Sequence, residues 1–265
     1  MSESAPIIAS WPDHQRTPLR FCFVSDLHCF SARSMVHQHE WLINRVIQRS
    51  DVCVWGGDLF DFRWSQVGHE GESIDAALRW LQRYYERYPE KQFVFLNGNH
   101  DAHGRFRERL DEWSEGRERF RSGLDALVAD DTLFLHGDVI EGTGSDQCFA
   151  RYRRTWQDKP TAHPRASRLY DAAVSVRLHQ AVAMTAHRRR RTCLRLDRWL
   201  HRQEAPWSDS IRRVVFGHTH RALNRFLFKG KEFYNAGAAI RHVNFQPIEL
   251  MCFDEDQNGR PDGSL

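Results

Sequence analysis

The chain has 265 residues, 41% of them hydrophobic and 28% charged, which is long enough to bury a sizeable core and too apolar for a disordered chain. Its longest apolar runs, such as Phe93-Val94-Phe95-Leu96, fall far short of the roughly 18 residues that a membrane span requires. The first twenty residues carry no basic start followed by a long apolar stretch, so no secretory signal is expected. Six scattered cysteines form no C-x-x-C pair, and they read as reduced thiols of a cytoplasmic protein. The net charge of +3 is unevenly spread: residues 151–204 carry +10 and the remainder −7. A basic segment set into an acidic body points to an anionic partner.

Taken in chain order, short apolar runs alternate with amphipathic stretches. Phe21 to Val24 predicts a buried strand. A helix follows from about Met35 to Arg49, with Trp41, Leu42, Val46 and Ile47 on one face. Val52 to Trp55 repeats the strand, and about Ser73 to Tyr88 repeats the helix, ending at Pro89. Phe93 to Leu96, Leu133 to Leu135 and Val214 to Phe216 are further strands. Phe226 to Phe228, Glu232 to Tyr234 and Leu250 to Phe253 predict short antiparallel strands, with Lys229-Gly230-Lys231 as a hairpin turn. The expected class is α/β.

Five of these strands end in polar clusters. They are Ser25-Asp26-Leu27-His28, Gly56-Gly57-Asp58-Leu59-Phe60-Asp61, Asn97-Gly98-Asn99-His100-Asp101, His136-Gly137-Asp138 and Gly217-His218-Thr219-His220. Singly, each is ordinary turn chemistry or a hydrogen-bonded histidine. Together they are hard to assign to turns, because the carboxyl ends of strands in an open α/β sheet converge on one crevice. Convergent His, Asp and Asn without thiols suit Mn²⁺, Fe²⁺ or Zn²⁺. Seven candidate ligands (Asp26, His28, Asp58, Asn99, His136, His218 and His220) are too many for one open catalytic site. Two ions sharing a bridging carboxylate would activate water and neutralise a phosphoryl oxygen.

The order D-x-H, G-D-x-x-D, G-N-H-D, H-G-D, G-H-x-H resembles that of the calcineurin-like metallophosphoesterases, over residues from about 20 to 240. The resemblance implies a four-layer αββα sandwich. It implies one ion held by Asp26, His28, Asp58 and His220 and a second by Asp58, Asn99, His136 and His218, with Mn²⁺ the expected metal. His100 would face the leaving group as a catalytic residue, oriented by Asp101. A histidine beside a carboxylate can stay protonated and act as a general acid. The serine/threonine phosphatase branch is excluded, since its Arg-Gly and G-N-H-E signatures are replaced by Asp61-Phe62-Arg63 and Asp101. Some members keep the fold as scaffolds after losing ligands, but the full set here argues for an enzyme.

The motif interval from His136 to His218 is 82 residues against 32, 41 and 37 for the earlier ones. The surplus coincides with the basic segment. Tyr170, Val174, Leu178, Ala181 and Val182 recur at helical spacing, as do Leu196, Trp199 and Leu200, beside an arginine run at Arg188–Arg191. The expected organisation is a core over 18–145 and 205–255, a helical basic insert over 146–204, and termini at 1–17 and 256–265. The insert reads as a solvated face, a nucleic-acid surface, or a lid that binds a phosphorylated, partly apolar substrate or sits on an anionic membrane, at its inner face. The stretch from Asp146 to Arg154 and the Gly217 to Arg221 block are similar to those of UDP-2,3-diacylglucosamine hydrolases of lipid A synthesis. That resemblance implies a lipid-linked sugar nucleotide as substrate, with contacts from Asn99, His100 and Arg154. A nucleotide or nucleic-acid phosphodiester is the alternative.

Overall fold

A computed structural model describes residues 5–12, 18–141, 145–157, 162 and 188–253. Two sheets form its centre. The first contains β11 (Ile248–Cys252), β2 (Leu19–Val24), β3 (Val52–Trp55), β4 (Gln92–Leu96) and β5 (Phe120–Leu124), in that order. β2 to β5 run parallel, and β11 joins the edge antiparallel to β2. The second sheet follows the order β1 (Ile8–Ser10), β6 (Ala126–Ala129), β7 (Thr132–Leu135), β8 (Arg213–Phe216), β10 (Lys231–Asn235) and β9 (Leu223–Phe228). β7, β8 and β10 are parallel neighbours there.

Strand alternation explains how the sheets stack. In the second sheet Leu127, Ala129, Phe134 and Val215 point into the main core. Their chain neighbours Ala126, Val128, Leu133, Leu135, Val214 and Phe216 point to a second cluster on the opposite face. A period of two lets one strand serve both layers. Between the sheets, Phe134 stacks on Phe21 and Phe23 at 5.5 and 6.2 Å between ring centroids. Three helices, α1 (Val36–Arg49), α2 (Glu70–Arg87) and α3 (Gly104–Ser114), add their apolar faces to the main core. Ile74, Ala77, Leu78, Leu81 and Tyr84 make the buried stripe of α2, the spacing of one helical face.

On the far side, α5 (Arg189–Leu200) buries Cys193, Leu196, Trp199 and Leu200 in the second cluster, joined by Phe149 of α4 (Asp146–Gln157). Each such side chain contributes roughly 1.5–3 kcal/mol. The layers therefore run α, β, β, α, as expected.

Four readings need correction or extension. Trp41 is 62% exposed, whereas Ile43, Val46 and Ile47 carry the buried face of α1, because position 41 falls outside the i, i+3, i+4 set. Leu196, Trp199 and Leu200 do not hang over the crevice but pack as the outer helical layer. β10 pairs parallel to β8 as well as antiparallel to β9. β1, β5 and β6 carried no recognised pattern. The Lys229-Gly230 turn is confirmed, with φ of 48° and 75°, the left-handed pair that a two-residue hairpin needs. Tyr170, Val174, Leu178, Ala181 and Val182 lie outside the described residues.

All six cysteines are free. Among the described residues no helix is long and apolar enough to cross a membrane.

Candidate metal centre

The five polar clusters meet at one end of the two sheets, as the strand order requires. Their backbones are laced together: Asp26 N–H donates to Gly57 O at 3.0 Å, His28 N–H to Asp58 O at 3.0 Å, and Gly217 N–H to His136 O at 2.8 Å. Asp26, His28, Asp58, His218 and His220 all have left-handed backbones, with φ between 45° and 64°. Non-glycine residues there are strained, and such strain clusters at functional sites. Two glycines are dictated by close approach. A Cβ on Gly98 would lie 2.2 Å from the Asp58 nitrogen, and one on Gly217 would lie 2.2 Å from Asp26 Oδ2.

Two groups of ligand atoms result: Asp26 with His28 and His220, and Asp58 with His136 and His218. In the first, His220 Nε2 lies 3.3 Å from Asp26 Oδ1 and 3.0 Å from His28 Nε2. In the second, His136 Nε2 is 3.3 Å from Asp58 Oδ2. Asn99 Oδ1 sits 3.3 Å from His136 Nε2 and 3.0 Å from His218 Nδ1. Thus all seven expected ligands converge, with Asp58 inside the second group.

The donor set fits divalent cations. Burial and the Arg33 guanidinium push His28 down to about 3, so its ring is neutral, the charge state in which an imidazole ligates. Burial opposes a proton on His136, but the Asp58 carboxylate outweighs it and lifts the pKa to about 10. That proton occupies the position a cation would take, the usual competition at a metal site. Oxygen and imidazole donors without thiolate suit a hard-to-borderline ion.

A third group joins His28, Asp61 and His100. His100 Nδ1 lies 3.1 Å from Asp61 Oδ1, and Arg33 Nη2 is 3.3 Å from Asp61 Oδ2 and 2.9 Å from His28 Nδ1. Burial disfavours charge on His100, yet the Asp61 and Asp58 carboxylates prevail and hold its pKa above the ordinary value. Asp101, expected to orient His100, does something else. Its two oxygens accept the Leu59 and Phe60 backbone N–H groups at 3.1 and 2.9 Å, so it clamps the second motif loop. Burial and the nearby Asp58 charge raise its pKa to about 7.

Arg154 is not at the centre. It is exposed and lines a separate cavity of about 280 Å³ with Arg107, Asp125 and Gln157. The neighbouring positions reach the centre instead: the Trp156 ring lies 4.4 Å from that of His100, and Tyr152 lies 6.4 Å from His218. A helix turns about 100° per residue, so Tyr152 and Trp156 share a face that Arg154 does not. Arg153 is buried. It pairs with Asp138 and donates to Asn97 O at 2.6 Å, tying α4 to the third and fourth motif loops.

Sequence reasoning missed the roles of Arg33, Asp61, Glu141, Tyr152, Arg153 and Trp156. Asp61 carried a signal as the second carboxylate of G-D-x-x-D, and Tyr152 and Arg153 lay in the Asp146 to Arg154 block with no role assigned to them.

The calcineurin-like phosphoesterase family model matches residues 19–222, and the chain belongs to that family of metal-dependent phosphoester hydrolases. Among solved structures, it is similar to a dimetal phosphatase from Danio rerio at 12% identity and a TM-score of 0.42, over 84% of this chain and 88% of that one. No curated protein sequence matches the chain.

Proposed function

We propose that this phosphoesterase cleaves a phosphate ester or pyrophosphate bond at a centre of two divalent cations, Mn²⁺ first among them, with Fe²⁺ and Zn²⁺ also suited. Asp26, His28, Asp58 and His220 would hold one ion, and Asp58, Asn99, His136 and His218 the other. The observation that carries this reading is the pair of adjacent Asp/His groups with Asn99 between His136 and His218. When bound, such ions supply Lewis-acid polarisation of the phosphoryl group and a nucleophile at neutral pH.

The chain's own residues do the rest. His100, kept protonated by Asp61 and Asp58, donates its proton to the leaving oxygen as a general acid. Asp61 Oδ1 stands 3.1 Å from Nδ1, which leaves Nε2 for that transfer. Asn99 and His100 together contact the phosphoryl oxygens. Trp156 covers one side of the His100 ring and keeps water from it.

For the substrate we propose a lipid-linked sugar nucleotide like UDP-2,3-diacylglucosamine, acted on by a cytoplasmic protein at the inner face of an anionic membrane. The Asp146–Arg154 and Gly217–Arg221 blocks and the basic segment support this reading. Arg188–Arg191 are all exposed at the start of α5, where anionic lipid attracts each arginine by about 1 kcal/mol. A nucleotide phosphodiester is a second reading, favoured by the Tyr152 and Trp156 rings beside the centre, since aromatic side chains stack on bases.

The test compares kcat/KM for an acylated UDP-sugar, its deacylated form and a dinucleotide. A clear preference for the acylated compound is expected. Arg188–Arg191 changed to Ser should reduce sedimentation with anionic vesicles and spare hydrolysis of a short aryl phosphodiester. Indifference to acyl chains, with the dinucleotide preferred, would select the second reading.

A further inference from the structure

Each imidazole that offers a nitrogen to the centre needs its other nitrogen held, or the ring can take the wrong tautomer and orientation. His136 is held by a backbone group, with Nδ1 3.0 Å from Gly56 O. His28 Nδ1 lies 2.9 Å from Arg33 Nη2 and 3.6 Å from Asp61 Oδ2 within the buried interior. His218 differs. Its Nδ1 faces Asn99 Oδ1 at 3.0 Å, whereas its Nε2 lies 2.9 Å from Glu141 Oε1. Glu141 is a partly exposed side chain, 27% accessible, outside all five motif blocks.

We infer that Glu141 is a positioning residue that fixes His218 with its proton on Nε2 and its Nδ1 lone pair inward, and so sets the affinity of the second cation position. The inference rests on the two-ion reading above. Three links support it. Glu141 accepts the Nε2–H, which leaves Nδ1, the nitrogen 3.0 Å from Asn99 Oδ1, free to ligate. Carboxylate–histidine pairs of this kind orient the ligating ring at metal sites. Its own place is also fixed, because Glu141 N–H donates to Asp138 O at 3.0 Å and Asp138 is paired with buried Arg153. Glu141 is therefore anchored through its backbone while its side chain remains accessible enough to change without opening the core.

The experiment is a titration of metal-free protein with Mn²⁺, by calorimetry and equilibrium dialysis, on the wild type, Glu141→Gln and Glu141→Ala. The wild type should take up two ions. In Glu141→Ala one should bind as before and the other about 10–100-fold more weakly. Glu141→Gln, which can still accept the hydrogen bond without charge, should fall between. The thermal midpoint of the metal-free variants should match the wild type, which separates ligand tuning from misfolding. Two ions held with unchanged affinity in Glu141→Ala would overturn the role of Glu141 alone, and so would equal weakening at both positions. Wild-type protein that takes up no second ion would overturn the two-ion reading itself.

Discussion

His100 Nδ1 stands 3.1 Å from Asp61 Oδ1, while the adjacent Asp101 spends both of its oxygens on the backbone of Leu59 and Phe60. The two aspartates therefore carry different duties, and substitution separates them. Asp61→Asn should lower kcat by on the order of 10²-fold for a poor leaving group, because His100 loses the charge that keeps it protonated. Asp101→Asn keeps one acceptor and loses the other, so it should cost about 1–3 kcal/mol of stability. Steady-state kinetics and urea unfolding on both variants check the division.

His100 itself gives a sharper readout. His100→Asn should lower kcat by about 10²–10⁴ with metal content unchanged. The loss should shrink with an aryl leaving group of low pKa, which departs without protonation. An equal loss across a leaving-group series would reassign His100 to electrostatic positioning.

Metal uptake should be proton-linked. The Asp58 carboxylate, overcoming burial, lifts His136 to about 10 in the metal-free protein, so at pH 8 that ring carries a proton which a ligating imidazole must release. Affinity for Mn²⁺ should therefore rise with pH and level off above about 10. Calorimetry in buffers of different ionisation enthalpy should count about one proton released per chain from this group at pH 8.

Arg153 lies within ion-pair distance of two aspartates, Asp138 and Asp125, and is itself buried. Arg153→Leu leaves Asp138 buried without its cation and should cost about 3–5 kcal/mol at neutral pH. Burial raises the pKa of Asp138, but Arg153 outweighs it and holds the carboxyl below its ordinary value. The pair's contribution is therefore full above the ordinary carboxylate range and fades as pH falls through the lowered value. The gap between wild type and variant in urea midpoint should narrow in acid.

The strands and helices whose apolar period is strong, such as α2 and β2 to β4, could be read from sequence because one buried face imposes one spacing. β5 could not: Phe120–Leu124 holds an arginine, a serine and a glycine and keeps only Phe120 fully buried. The seven candidate ligands were legible because each follows a strand end in a short polar block, four of the five with a glycine. The supporting residues were not. Glu141, Arg153 and Trp156 reach the centre across long sequence separations, from turns and helices whose local pattern is that of any solvated surface. The exchange of Asp101 for Asp61 has a similar cause, since adjacency in sequence does not say which carboxylate faces the ring. The arginine run told of charge, but α5 showed that its apolar residues serve the outer layer.

In the proposed centre one carboxylate, Asp58, is shared by two cations. Elemental analysis of purified wild-type protein and of Asp58→Asn, with hydrolysis of an aryl phosphodiester followed on the same samples, tests it most directly. The wild type should hold about two divalent ions per chain, the number a two-metal hydrolase requires. Asp58→Asn should lose at least one ion and fall to background turnover, because a neutral amide cannot bridge two cations. A wild type that is fully active without metal, or an Asp58→Asn protein that keeps both ions and its rate, would rule out the shared two-ion centre.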